Sequence, residues 1–202
     1  MLGTLLLRLL CAARPWLYTV LACALFLARN PAQAAETESA AISFSGHTYQ
    51  YTFIARLNGS AAAVHEIVTD FDGMKRINDD IVESRVLTRY ANGELKRQLK
   101  LRHCILVFCF DLNFVERVHE SAGHVTTTIV PAESTFLDGT ASWRIEALDA
   151  THTRISVDAR QTPSFWIPPV IGPLILKRVF MAEVAETCAN IERIASYGKA
   201  HD

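Results

Sequence analysis

The sequence predicts an α+β domain: a curved antiparallel sheet of about seven strands packed on one long C-terminal helix. Three observations lead there. The run from Leu174 to Tyr197 contains neither Gly nor Pro, opens behind Pro173 and ends before Gly198, so it has the start and stop signals of a helix. Along it Leu174, Met181, Val184, Ala185, Cys188, Ile191 and Ala195 recur at three- and four-residue steps, opposite Lys177, Glu183, Glu186, Asn190 and Arg193. Nothing earlier in the chain beyond its N-terminal leader reads as a second long helix, while seven segments read as strands, so the apolar stripe must face a sheet.

The chain has 202 residues and a net charge of -1, which fits one domain with a sizeable core. The balanced charge argues against a nucleic-acid partner, which is held by phosphate neutralisation. Residues 1–34 are expected to be a signal peptide. Arg8 and Arg14 precede an apolar stretch from Trp16 to Ala28, and Ala32-Gln33-Ala34 forms a cleavage site. The stretch is short for a membrane span of about 20 residues, and the alternative is an uncleaved membrane anchor. The exported chain is expected in the periplasm. It would keep Cys104, Cys109 and Cys188, an odd number in a compartment that permits disulfides. Residues 35–46 are small and polar and read as a flexible tail before a domain at 47–198.

Within that domain, Tyr49, Tyr51, Phe53 and Ala55 alternate with Gln50, Thr52, Ile54 and Arg56, giving a strand with one buried face. Ser60 caps a short helix over residues 61–71, with Val64, Ile67, Val68 and Phe71 inward, and residues 74–78 form one more helical turn. Strands follow at 81–90, 95–103, 110–118, 125–130, 136–148 and 153–160. Asn92-Gly93 makes a hairpin between the first two.

Pairing His103 with Phe110 sets Leu101 opposite Leu112, Leu99 opposite Phe114 and Arg97 opposite Glu116, with all eight on one inward face. That register puts Cys104 directly opposite Cys109 on the outer face, where a disulfide can form. It also sets a charged pair, Arg97 and Glu116, on an apolar face. Such a pair costs desolvation and is seldom kept for stability, so it is a candidate for orienting a ligand's polar group. The tip 105–108 is apolar and lacks any turn former, and the segment 165–174 is also apolar, with Trp166 and several aliphatics and Lys177 and Arg178 just behind; both suit either lids over a cavity or contact with a membrane or partner.

No metal site is expected. His65-Glu66 lacks the second histidine of a zincin helix, His119, Glu120 and His124 straddle a turn, and Asp70-Phe71-Asp72-Gly73 lacks the closing glutamate of a calcium loop. No phosphate loop or nucleophile elbow is present, and no cofactor is expected.

Residues 69–78 with 83–87, the Gly139–Trp143 segment, and the proline-rich entry 165–176 resemble the START-like (SRPBCC) superfamily, specifically its polyketide cyclase/dehydrase and coenzyme-Q-binding START-domain branch. The resemblance spans residues 49–195. It implies a helix-grip fold, with an apolar cavity between sheet and helix for a lipid, quinone or polyketide-like molecule. The expected cavity residues are Tyr51, Phe53, Phe71, Arg97, His103, Phe114, Glu116, Phe136, Trp143, Trp166, Met181 and Ala185. The function so implied is an exported carrier of a hydrophobic small molecule without catalytic residues. The alternatives are a cyclase or dehydratase, or an envelope interaction module whose cavity is filled.

Overall fold

The computed structural model describes residues 35–105, 108–167 and 172–198. The expected leader and the middle of the apolar hairpin tip lie outside these residues. Eight strands form one antiparallel sheet: β1 (Glu36–Ser45), β2 (Thr48–Asn58), β3 (Ile81–Arg89), β4 (Leu95–Ile105), β5 (Phe108–Ser121), β6 (His124–Ile129), β7 (Phe136–Ala147) and β8 (His152–Pro163). Their order is β1-β2-β8-β7-β6-β5-β4-β3, a curved, unclosed sheet. Two helices join it, α1 (Ala61–Thr69) and α2 (Gly172–Gly198), with single 3-10 turns at Met74–Arg76 and Pro131–Glu133.

Residues 36–45, expected as a flexible tail, are instead strand β1, paired with β2 from Glu36↔Arg56 to Ser45↔Thr48. Ala40, Ile42 and Phe44 alternate as its half-buried positions. That period-2 signal is sparse among Ala and Ser, and it accounts for the eighth strand. Glu38 ties this edge further in, through Arg154 Nη2 at 3.1 Å.

The β4–β5 register follows from burying one face. Arg97 lies opposite Glu116, Leu99 opposite Phe114, Leu101 opposite Leu112 and His103 opposite Phe110. The inward face opens toward the tip, where Phe110 is 47% exposed. Gly93 turns the β3–β4 hairpin with φ of 86°, a conformation that favours glycine.

Ser60 caps α1 by accepting the Ala63 N–H at 3.3 Å, and Val64, Ile67 and Val68 go into the core. The same core takes Phe53, Ala55 and Leu57 of β2, Ile145 of β7, Ile155 and Val157 of β8, and Val184, Cys188, Ile191 and Ala195 of α2. Helix α2 comes so near the β2–α1 corner that a Cβ on Gly59 would lie 3.0 Å from Ala195 Cβ. Its inward line runs through the half-buried Phe180 and the buried Val184, Cys188, Ile191 and Ala195. Leu174, Met181 and Ala185, expected on that line, are exposed. At about 100° per residue, Ala185 sits a quarter-turn from Val184. The stripe is therefore narrower than the apolar residues alone indicate.

Candidate functional site

The inner face of the sheet carries a polar cluster in a largely apolar setting. Arg97 and Glu116 are 6% and 4% exposed. Arg97 Nε and Nη2 both donate to Glu116 Oε2, at 2.8 and 2.7 Å. The other carboxylate oxygen, Oε1, accepts the Thr127 hydroxyl at 3.0 Å. Thr127 is two residues along β6 from Ile129, the direct partner of Glu116, so it is the diagonal neighbour on the same face. The guanidinium lies over the Phe71 ring, 5.1 Å from its centre.

Beside this cluster is a void of about 10 Å3, lined by Val68, Phe71, Met74, Arg97, Val125, Thr127 and Trp143. That is room for about one water molecule. The neighbouring wall is aromatic. Phe53 meets Trp143 edge-on with ring centres 6.1 Å apart, and Phe180 of α2 lies over Tyr51 at 5.1 Å. Burial holds the Tyr51 hydroxyl well above the usual phenol range, and the Glu116 charge adds to the effect while Arg97 opposes it. Burial likewise raises the hydroxyl of Tyr49, which donates to Gln161.

Of the residues expected to line a cavity, Phe71, Arg97 and Trp143 line this void, Glu116 and Phe53 touch those walls through Arg97 and Trp143, and Tyr51 packs alongside on Phe180. Phe114 and Phe136 belong to a separate packed cluster with Ile129, their rings stacked at 4.4 Å, and Phe165 closes over Phe136. Trp166 is 70% exposed, and Met181 and Ala185 face outward with it. These three are not cavity walls. Val68, Met74, Val125, Thr127 and Phe180 were not anticipated. Phe180 is four residues before Val184, so the helical period pointed to it; Thr127, between two other threonines, carried no signal of its own.

His103 occupies the rim. Its Nδ1 contacts Asp80 Oδ2 and lies 3.5 Å from Glu183 Oε1. Burial raises the Glu183 carboxyl above its ordinary range; Asn78 and His103 pull it down and Asp80 pushes it up. Glu183 was expected on the solvent face of α2. It is instead held by Asn78 Nδ2, on the loop between α1 and β3. On the outer face of β4 and β5, Cys104 and Cys109 are joined by a disulfide.

The fold has clear structural relatives. A START superfamily protein from Mycobacterium smegmatis aligns with a TM-score of 0.57 at 21% identity, over 73% of this chain and 97% of that one. The Zhui aromatase/cyclase from Streptomyces sp. R1128 aligns with a TM-score of 0.58 at 15% identity, over 73% and 94%. Human STARD10 aligns with a TM-score of 0.56 at 9% identity, over 80% and 76%.

The fold is START-like.

No family model matches the sequence, and no curated protein matches it. At these identities the likeness establishes the START-like architecture and not the chemistry done with it. The candidate site is the inner sheet face at Arg97, Glu116 and Thr127, covered by Val68 of α1 and by Phe71 and Met74 after it, with the aromatic wall alongside reaching α2 at Phe180.

Proposed function

We propose that this START-like domain binds a hydrophobic small molecule, such as a lipid, quinone or polyketide-like compound, between sheet and C-terminal helix, without chemistry of its own. The observation that carries the reading is the buried Arg97–Glu116–Thr127 cluster beside a void in a largely apolar face. An apolar pocket with a few placed polar groups suits an apolar molecule with one polar end. Both Glu116 oxygens are occupied, by Arg97 and by Thr127, which favours positioning over proton transfer.

A void of about 10 Å3 is far below the several hundred Å3 of a typical ligand site, and no residue of α2 lines it, so binding between sheet and C-terminal helix requires the void to grow past the aromatic wall toward Phe180 and α2 to yield. Its first half is the part suited to do so. Leu174, Ile175 and Met181 are exposed there, whereas Val184, Cys188, Ile191 and Ala195 anchor the second half. The test is mass spectrometry of an organic extract from protein purified from its native source without detergent. A stoichiometric lipid or quinone is expected; an empty extract from folded protein overturns the carrier reading.

A second reading, an interaction module with a filled cavity, is favoured by the same small void and by the exposed Phe165, Trp166, Leu174 and Ile175. In either case we propose export through cleavage after Ala34, for which the Cys104–Cys109 disulfide is suited to an oxidising compartment. N-terminal sequencing that begins at Ala35 is the expected result.

A further inference from the structure

We propose that Asp80, His103 and Glu183 form a divalent-cation site suited to Zn2+, independent of the ligand site inside. The three residues come from separate elements: Asp80 from the turn before β3, His103 from β4 and Glu183 from α2. One donor atom from each lies within 4.8 Å of the other two. A tetrahedral zinc ion with nitrogen and oxygen ligands at about 2.0–2.2 Å holds its donors roughly 3.3–3.6 Å apart; His103 Nδ1 and Glu183 Oε1 already stand 3.5 Å apart, and His103 and Asp80, now in direct contact, must part to admit the ion. One imidazole and two carboxylates select against Ca2+ and Mg2+, which take oxygen ligands alone.

The donors are also aimed. Asn78, itself buried, binds Glu183 Oε2 through Nδ2 and so leaves Oε1 turned to His103. The Asn78 side-chain carbonyl accepts the Asp80 N–H at 2.8 Å, and the Asp80 carbonyl accepts the Arg102 N–H at 2.8 Å. Groups that hold metal ligands from behind act in this manner. Charge is short of balance. Among the described residues, His103 is the basic group within ion-pair distance of either carboxylate, and the Arg102 guanidinium is engaged with Asp111 on the outer face. All three side chains are about a quarter exposed, so an ion can enter and water can complete its shell. A bound ion would fasten α2 to the sheet rim where the helix passes from its exposed half to its anchored half.

Untagged full-length protein is stripped with EDTA and titrated calorimetrically with Zn2+ and with Ca2+. One Zn2+ per chain with micromolar affinity is expected, together with a rise in Tm, and no Ca2+ binding. His103→Ala and Glu183→Gln should each weaken Zn2+ binding by on the order of tenfold or more. His152→Ala, at the exposed Asp149–His152 turn, should leave it unchanged. Absence of stoichiometric binding, or equal affinity in both site variants, overturns the proposal and leaves a plain His103 ion-pair cluster. Should the variants not fold, NMR of the wild-type histidine rings decides: Zn2+ must shift His103 at substoichiometric ratio, and an unmoved His103 overturns the site.

Discussion

Arg97 and Glu116 face each other across β4 and β5 and bind through a single carboxylate oxygen, Oε2, while Thr127 holds the other. Removing one partner leaves a buried charge without compensation. Arg97→Met is expected to cost about 3–5 kcal/mol in denaturant unfolding, whereas Arg97→Met with Glu116→Leu should sit at or above wild-type stability. If the pair orients a ligand, the double variant, though stable, loses the extractable molecule. Stability without that loss makes the pair structural.

The cysteines divide into two environments. Cys104 and Cys109 are bonded, and Cys188 is 1% exposed with burial pushing its thiol up to about 12. Of these three, alkylation under denaturing, non-reducing conditions should label Cys188 alone. In the folded protein at pH 8 Cys188 should stay silent toward thiol reagents, since the thiolate is the nucleophile. Labelling at Cys104 or Cys109 would show the bridge to be absent.

Glu192 of α2 is buried, and its Oε1 accepts the Asn58 N–H at 2.7 Å and Asn58 Nδ2 at 3.0 Å. Burial is the largest influence and raises its carboxyl above the ordinary glutamate value of 4.5, with the hydrogen bonds from Asn58 and Ala35 opposing. A carboxyl raised on folding binds its proton more tightly in the native state. Its favourable contribution is complete below pH 4.5 and fades as pH climbs through the folded value. The stability of Glu192→Gln relative to wild type should therefore increase from pH 4 to pH 7 in urea titrations. A difference that is flat with pH contradicts the shift.

The β4–β5 register was legible because shifting it by one residue would turn Arg97, Leu99, Leu101 and Glu116 away from the core together. Helix α2 was legible as an element and less so as a face, because apolar residues surround it. Phe180 packs on Tyr51 while Met181, one residue on, is in solvent, and only the depth of the sheet beneath decides between them. Strand β1 was obscured by its composition: Ala40 and Ser43 carry little hydrophobic contrast, and β1 is set by pairing with β2. The Asp80–His103–Glu183 cluster was not legible at all. It joins positions 23 and 80 residues apart, and no local spacing encodes such a meeting.

The last prediction concerns the exposed apolar residues around the start of α2. Trp166 and Leu174 are 70% and 71% exposed, with Lys177 and Arg178 also exposed on the following turn. Aromatic and aliphatic side chains next to basic ones suit the interface of an anionic bilayer. Trp166→Ser with Leu174→Ser removes little buried surface, so its unfolding free energy should stay within about 0.5 kcal/mol of wild type. Co-sedimentation with vesicles of anionic phospholipid should fall sharply in the double variant and should fall for wild type as salt is raised, since part of the attraction is screened. Binding to anionic vesicles that is equal in the two proteins places the contact elsewhere. No binding by wild type to any vesicle makes the patch a protein-docking surface or a lid, and the filled-cavity reading then gains over the carrier.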